Sequence, residues 1–312
     1  MQDSSQVTRR FASDYKEGYY KILREDDHLT VLKSPYPTEY KEASGIVLHT
    51  FDGGTRGTLL FIHGLGKRNI KFLTYFPRWF AKKGFSSALM ILPYHFERTP
   101  NGMESGELFL NTTDNSVLRS RFEHAVVDAL TSLDYLKDRS GYPLYLMGYS
   151  FGGMIAAIAA AFRKDLSGLS LVVTGGNFLP ITWESIVTKV FRVQYEQNQE
   201  CDVEKCRYWH SKENFYKYIN EIRSPNIELD TAPMPCYEYD PLVFAKFVKA
   251  PSVMFTAAFD IFIPKRASDE LFEFLGSRRK KRYVIPSGHL TSYALFRKFI
   301  ASKSLKFFEG ED

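Results

Sequence analysis

The sequence predicts an α/β fold: a mostly parallel central sheet with helices on both faces, plus a helical cap insertion. Three observations carry this. Short, nearly continuous apolar runs alternate with longer segments of helical periodicity, the pattern of parallel strands buried on both sides by crossover helices. One such run, "PLYLMG" (143–148), enters an alanine-rich helix through a serine flanked by glycines. One long segment, 179–249, breaks the alternation and supplies no core strand.

In chain order, Phe11, Tyr15, Tyr19 and Leu23 recur every four residues, which predicts a helical extension over about residues 1–28. "GIVLHTF" (45–51) and "GTLLFIHG" (57–64) read as strands around an Asp52-Gly53-Gly54 turn. "KFLTYFPRWFAKKGF" (71–85) has helical spacing, with Pro77 expected to kink or interrupt it. "SSALMILP" (86–93) is the next strand, residues 94–115 are irregular, and a helix follows from about Ser116 to Lys137. After the strand at 143–148 come a buried helix from Ser150 to Arg163 and a strand at 168–176. A strand at 250–258, a helix from Lys265, the strand "KRYVIP" (281–286) and a last helix from Leu290 complete the series. The body is therefore residues 1–178 and 250–312, and 179–249 is the cap.

With 44% hydrophobic and 25% charged residues over 312 positions, the chain has the composition of a globular protein with a large core rather than of a disordered one. The net charge of +5, from 41 basic and 36 acidic residues, is too mild to point to nucleic acid. The one dense basic run, Arg278 to Arg282, reads as a solvated loop ahead of a strand. Three cysteines make no disulfide framework, and Cys201 and Cys206 with His210 lack the second pair of a zinc motif, so no metal is expected. No stretch reaches the ~18 apolar residues of a membrane span. The N-terminus lacks the apolar core of a secretory signal, so a cytoplasmic location is the expectation.

The serine is Ser150, in "GYSFG". A strand that turns sharply into a helix forces its central residue into strained angles, and the residues two before and two after must be small to avoid collision. Gly148 and Gly152 occupy those places. This is the G-x-S-x-G nucleophile elbow, with a strand before it and a helix after it. It would lift the Ser150 hydroxyl to the carboxyl edge of the sheet, where open α/β folds bind ligands. His124 and Asp128, four apart on a predicted helix, read as a surface or packing pair.

On these residues the chain resembles the α/β-hydrolase superfamily from about residue 45 to 305, the cap excluded. A serine hydroxyl needs a base. The family order of serine, then acid, then histidine implies His289 in "SGHLTSY" as that base, with His210 as a poor rival. The resemblance places the acid on the loop holding Asp260, ahead of Asp240, Glu270 and Glu273. It also implies an oxyanion hole from the backbone N–H groups of Phe151 and of Leu65 in "HGLG". His63 is a candidate substrate contact, read more readily as ordering its own loop. Tyr94, His95 and Arg98, just past a strand's carboxyl edge, are candidate pocket residues, as is Trp183 in the cap. The implied activity is cofactor-free hydrolysis of a small-molecule carboxylic ester. Thioester, amide or peptide cleavage and acyl transfer use the same triad. A non-catalytic ligand- or partner-binding protein of this fold is the alternative of another class.

Overall fold

The apolar runs become strands because each sends alternate side chains into two separate cores. In the central strand Leu60 and Ile62 enter one core, while Leu59 and Phe61 enter the other. The structure, a computed structural model, describes residues 8–66, 69–141, 143–198 and 201–311. Its strands are β1 (Ile22–Asp26), β2 (Leu29–Lys33), β3 (Gly45–Phe51), β4 (Thr58–Ile62), β5 (Ser86–Met90), β6 (Leu144–Tyr149), β7 (Leu166–Val172), β8 (Ser252–Ala257) and β9 (Lys280–Ile285). They form one sheet in the order β1-β2-β3-β5-β4-β6-β7-β8-β9, parallel from β5 to β9, with β1, β2 and β3 added antiparallel.

The helices of the body are α1 (Ile70–Leu73), α2 (Tyr75–Ala81), α3 (Asn115–Ser140) and α4 (Phe151–Phe162). Between β7 and β8 lie α5 (Phe178–Trp183), α6 (Lys189–Gln197), α7 (Val203–Trp209), α8 (Lys217–Glu221) and α9 (Pro241–Ala245). The chain ends with α10 (Lys265–Phe274) and α11 (His289–Phe308). Helices α3, α4, α9 and α10 cover one face of the sheet, and α2 and α11 the other. Among the described residues no helix is long and apolar enough to cross a membrane.

The longest helix, α3, starts on Asp114, whose carboxylate accepts from the N–H groups of Ser116 (2.8 Å) and Val117 (3.3 Å). It stops at Gly141, in the left-handed conformation (φ 64°). The inserted segment is tied at both roots by one buried carboxylate. Asp240 accepts from the N–H of Asn177 (2.8 Å) and Phe178 (2.7 Å) at the entry, and from Leu242 (2.9 Å) at the exit.

Several expectations need correction. The N-terminal extension is not helical: residues 10–20 run through turns and then enter β1; residues 1–7 lie outside the described residues. The four-residue spacing there has no common helical face behind it. Phe11 packs on Phe162 and Phe244, the Tyr15 hydroxyl donates to Asp134, and Tyr19 and Leu23 stay exposed. Pro77 does not break its segment. The break falls at Thr74, and Pro77 sits in the first turn of α2, where its missing N–H has no intrahelical partner to lose. The Asp52-Gly53-Gly54 turn joins strands that are not neighbours, because β5 lies between β3 and β4. The basic run is not a solvated loop. Its Lys280–Arg282 portion forms the edge strand β9, where lysine blunts an open edge. Lys280 there donates to the carbonyls of Phe272 (2.9 Å), Glu273 (2.8 Å) and Leu275 (3.1 Å) at the end of α10. Of the two readings of His124 and Asp128, the packing pair holds: both are fully buried, 3.4 Å apart.

The N-terminal segment depends on a buried ion pair between Arg163 and Asp134, which are 3% and 4% exposed. Asp134 also accepts from the Tyr15 hydroxyl and the Gly18 N–H, both at 2.9 Å. Arg163 is also held by Asp165, through Nε (2.9 Å) and Nη2 (2.8 Å), so it is the loss of Arg163 that strands a buried charge, on Asp134. Arg163→Met is therefore expected to lower the unfolding free energy by about 3–5 kcal/mol in urea titration. Replacing both partners, as Asp134→Leu with Arg163→Met, should recover most of that loss.

Candidate active site

Ser150 is the hinge between β6 and α4, with φ 55° and ψ −121°, a conformation that a non-glycine residue adopts only when its surroundings force it. Its N–H donates to Val172 on the neighbouring strand (2.8 Å). The forcing comes from packing. A Cβ on Gly152 would overlap the carbonyls of Ile62, the last residue of β4, and His63 just beyond it, and one on Gly148 would overlap the Gly152 backbone. Only glycine lets α4 approach the sheet this closely, and the approach fixes the elbow.

Two other strand ends deliver the partners. His289 opens α11, just after β9, and its Nε2 lies 2.8 Å from Ser150 Oγ. Asp260 follows β8, and its Oδ2 accepts from His289 Nδ1 at 2.8 Å. With Nδ1–H given to the carboxylate, Nε2 is left to accept the serine proton. The other carboxylate oxygen accepts from the N–H of Phe262 and Ile263, both at 2.9 Å, so Asp260 cannot swing away without breaking its own turn. His289 and Asp260 are 4% and 5% exposed, dry enough for these contacts to be strong.

Two supporting residues escaped the sequence reading. The Phe262 ring stacks on the His289 imidazole, centroids 4.8 Å apart and planes 10° from parallel. The Tyr149 hydroxyl donates to the His289 carbonyl at 2.7 Å. Tyr149 is the middle residue between Gly148 and Ser150, so the elbow strand itself holds the histidine's backbone. The only sequence signal for it was its place inside the motif.

The loop after β4 passes directly over Ser150: a Cβ on Gly64 would lie 3.0 Å from Ser150 Cβ. This sets Leu65 beside the serine, opposite Phe151 in the first turn of α4, and all three line one cavity. The cavity, of about 410 Å³, lies between the body and the inserted helices, and Trp183 is part of its wall.

No protein-family model and no curated protein matches the chain. Solved structures do. An acetyl xylan esterase from Paenibacillus sp. R4 superposes with TM-score 0.61 at 15% identity, over 94% of this chain and 90% of that one. The esterase Pf2001 of Pyrococcus furiosus gives 0.54 at 12% identity, over 93% and 92%. The α/β hydrolase GrgF from Penicillium sp. sh18 gives 0.53 at 16%, over 94% and 98%. The chain has the α/β-hydrolase fold. Its sheet turns over at the α/β-hydrolase switch point between β4 and β6, and Ser150 and Leu65 stand at the carboxyl ends of those two strands.

Four expected substrate contacts do not face the cavity. His63 is fully buried; its Nδ1 donates to the Gly64 carbonyl (2.7 Å) and its Nε2 accepts from the Leu92 N–H (3.1 Å). It orders the loop that carries Leu65. Tyr94, His95 and Arg98 turn inward because Arg98 finds its counter-charge there. Arg98 bonds Asp128 (2.5 Å) and the carbonyls of Ile91 and Ala43 (both 2.8 Å), and Tyr94 reaches His124 (3.0 Å). His95 donates to the Pro93 carbonyl at 2.9 Å. Together they pin the loop after β5 to α3. Of the other carboxylates, Asp240 is spent on the roots of the insertion and Glu270 on Asn177 and Arg266. His210 lines the cavity from α7's end but bonds within the insertion, to the Cys206 carbonyl (3.1 Å).

Four buried imidazoles are held neutral. Burial pulls His63 down to about 3, and His95, His124 and His210 down to about 4. In the unfolded chain each titrates near ~6.5. Between those values the unfolded state binds protons that the native state refuses, so stability falls as pH falls. The urea midpoint should therefore drop below about pH 6, with a net uptake of about three protons per unfolding molecule near pH 5, because Asp240, whose carboxyl is pushed up to about 7 by burial, gives back about one proton as the chain unfolds. An uptake below about two protons contradicts this account of the buried histidines.

Proposed function

We propose that the protein is a serine hydrolase that cleaves a carboxylic ester through a Ser150–His289–Asp260 triad and an acyl-enzyme intermediate. The observation that carries this is the unbroken line of two 2.8 Å contacts from Asp260 through His289 to Ser150, ending at an apolar cavity. Ser150 Oγ attacks the ester carbonyl as His289 Nε2 takes its proton. The oxyanion that forms is held by the N–H groups of Phe151 and Leu65, aided by the positive end of α4. His289 then protonates the leaving alkoxide, and the Ser150 ester remains. Water gives a proton to the same nitrogen, attacks the acyl carbon, and the second tetrahedral species collapses to the acid and free Ser150. Asp260 stays ionised throughout; it fixes the tautomer and steadies the imidazolium.

In this reading the inserted segment up to α9, which itself packs on α4 and α10 in the body, acts as a cap that closes the cavity over the serine. The fold's other uses, including ligand binding without turnover, leave such a hydrogen-bonded serine without a task.

With a short p-nitrophenyl ester, His289→Ala and Ser150→Ala are expected to lose on the order of 10⁶ in kcat. Asp260→Asn is expected to lose about 10⁴ with its fold intact, because its amide cannot hold the productive tautomer. Near-normal kcat in the His289 variant would remove the triad from the mechanism. A well-folded wild-type protein that turns over no ester, thioester or amide would favour the binding alternative.

A further inference from the structure

The proposed ester hydrolysis leaves open which side of the ester the cavity holds, and how long a group it takes. Proton delivery decides the side. The leaving oxygen must lie beside His289 Nε2, and on that flank Leu290, the next residue and part of the cavity wall, is 50% exposed, so the cavity opens to the surface there. The acyl carbon's substituent must therefore point the other way, along Phe151.

That way leads inward along a continuous aromatic wall. The Phe151 ring contacts Phe109 (4.8 Å between centroids) and Phe122 (5.0 Å), and Phe122 contacts Tyr239 (5.0 Å). Tyr239 follows the short turn that carries Cys236. The wall then ends at a thiol–imidazole cluster, in which His210 Nδ1 lies 3.5 Å from Cys206 Sγ and Nε2 lies 3.8 Å from Cys236 Sγ.

Among the described residues no Asp, Glu, Lys or Arg lines this cavity. Its inner polar groups are occupied with one another. The Tyr239 hydroxyl donates to Asn115 (2.7 Å), and His210 is bonded to Cys206. Burial keeps the His210 imidazole neutral and pushes the Cys236 thiol and Tyr239 phenol up, so these groups carry no charge at neutral pH. A charged or strongly polar chain terminus finds no partner there, and an apolar one costs nothing to receive. The size is bounded as well. A volume of about 410 Å³, at roughly 30 Å³ per water-sized group, holds on the order of a dozen methylenes.

We infer that this cavity is an acyl pocket for an uncharged, medium-length aliphatic chain, running from Ser150 along the Phe122 wall to the Cys206–His210–Cys236 cluster, with the alcohol of the ester left at the open rim. This rests on the ester-hydrolase reading above, and it names the substrate class within it.

The test is a p-nitrophenyl ester series from acetate to palmitate on the wild-type protein, with Ser150→Ala as blank. The inference expects kcat/KM to rise about three- to fourfold per added methylene. The maximum should fall at about eight to twelve acyl carbons, with a decline toward palmitate. A terminal carboxylate on the acyl chain should cost at least about a hundredfold relative to the plain chain of equal length. Lengthening the alcohol from methyl to octyl at fixed octanoyl should change kcat/KM less than about tenfold. Cys206→Phe should move the maximum to shorter acyl chains; should that protein fail to fold, the smaller enlargement Cys206→Leu gives the same readout. A Ser150-dependent maximum at acetate, a rise continuing to palmitate, or equal turnover of the carboxylate-ended chain overturns the inference and leaves the hydrolase reading standing. Absence of any Ser150-dependent ester turnover defeats both.

Discussion

Close contact between α4 and the central strand is the constraint on which the rest of this structure depends. Because Gly148 and Gly152 lack side chains, α4 begins almost against the backbone of β4, and the single residue joining β6 to α4 is driven to φ 55°. Strain of this kind costs of order 1–3 kcal/mol and survives only when the surroundings over-determine it. Here they do: β6 pairs on both sides within the sheet, and the alanine-rich α4 is buried along nearly its whole length. The strain leaves Ser150 Oγ standing clear of the sheet edge, where a side chain in ordinary strand geometry would point into a core.

The partners are held with matching economy. His289 has its ring pinned by Asp260, its face covered by Phe262 and its carbonyl tied to Tyr149, which adjoins Ser150 in the chain. The Ser150 hydroxyl and the imidazole are thus referenced to the same strand, so small movements of the sheet carry both together. The Leu65 loop is set by His63, a neutral imidazole with both nitrogens in use, and the loop beyond β5 is set by Arg98 and Asp128 in the interior of the body. Buried charge, with His63, His95 and His124, therefore clusters behind the cavity, while among the described residues no Asp, Glu, Lys or Arg lines its wall. That segregation gives a mostly apolar chamber on a hydrogen-bonded polar base.

Much of this was legible in the sequence, and the reasons differ by residue. The elbow is local: five consecutive residues state both the strain and its relief. Asp260 and His289 could be placed because each follows an apolar run, and parallel strands bring all their carboxyl ends to one edge. The helices and parallel strands of the body came from periodicity for the same reason. The failures were of another kind. Phe11 and Tyr15 have helical spacing, but each is anchored by distant partners in α3, α4 or α9, so the spacing carries no helical meaning. Tyr94, His95 and Arg98 looked like pocket residues because they are polar and follow a strand. Whether they turn toward a cavity or inward depends on Asp128 and His124, which only the folded chain brings near. Strand β1 is exposed throughout at the sheet's edge, where burial imposes no pattern, and β2 beside it alternates in burial but places Thr30 at one of its two buried positions, which blurs the apolar alternation.

The central claim is that the folded environment of Ser150, and not serine chemistry in general, makes this one hydroxyl nucleophilic. The direct measurement is the site of covalent modification by diisopropyl fluorophosphate, read by peptide mass mapping of native and urea-unfolded protein. The account predicts one adduct, on the peptide containing Ser150, formed by the native protein and not by the unfolded chain. A native protein that stays unmodified, or one labelled at other hydroxyls as readily as at Ser150, would contradict it.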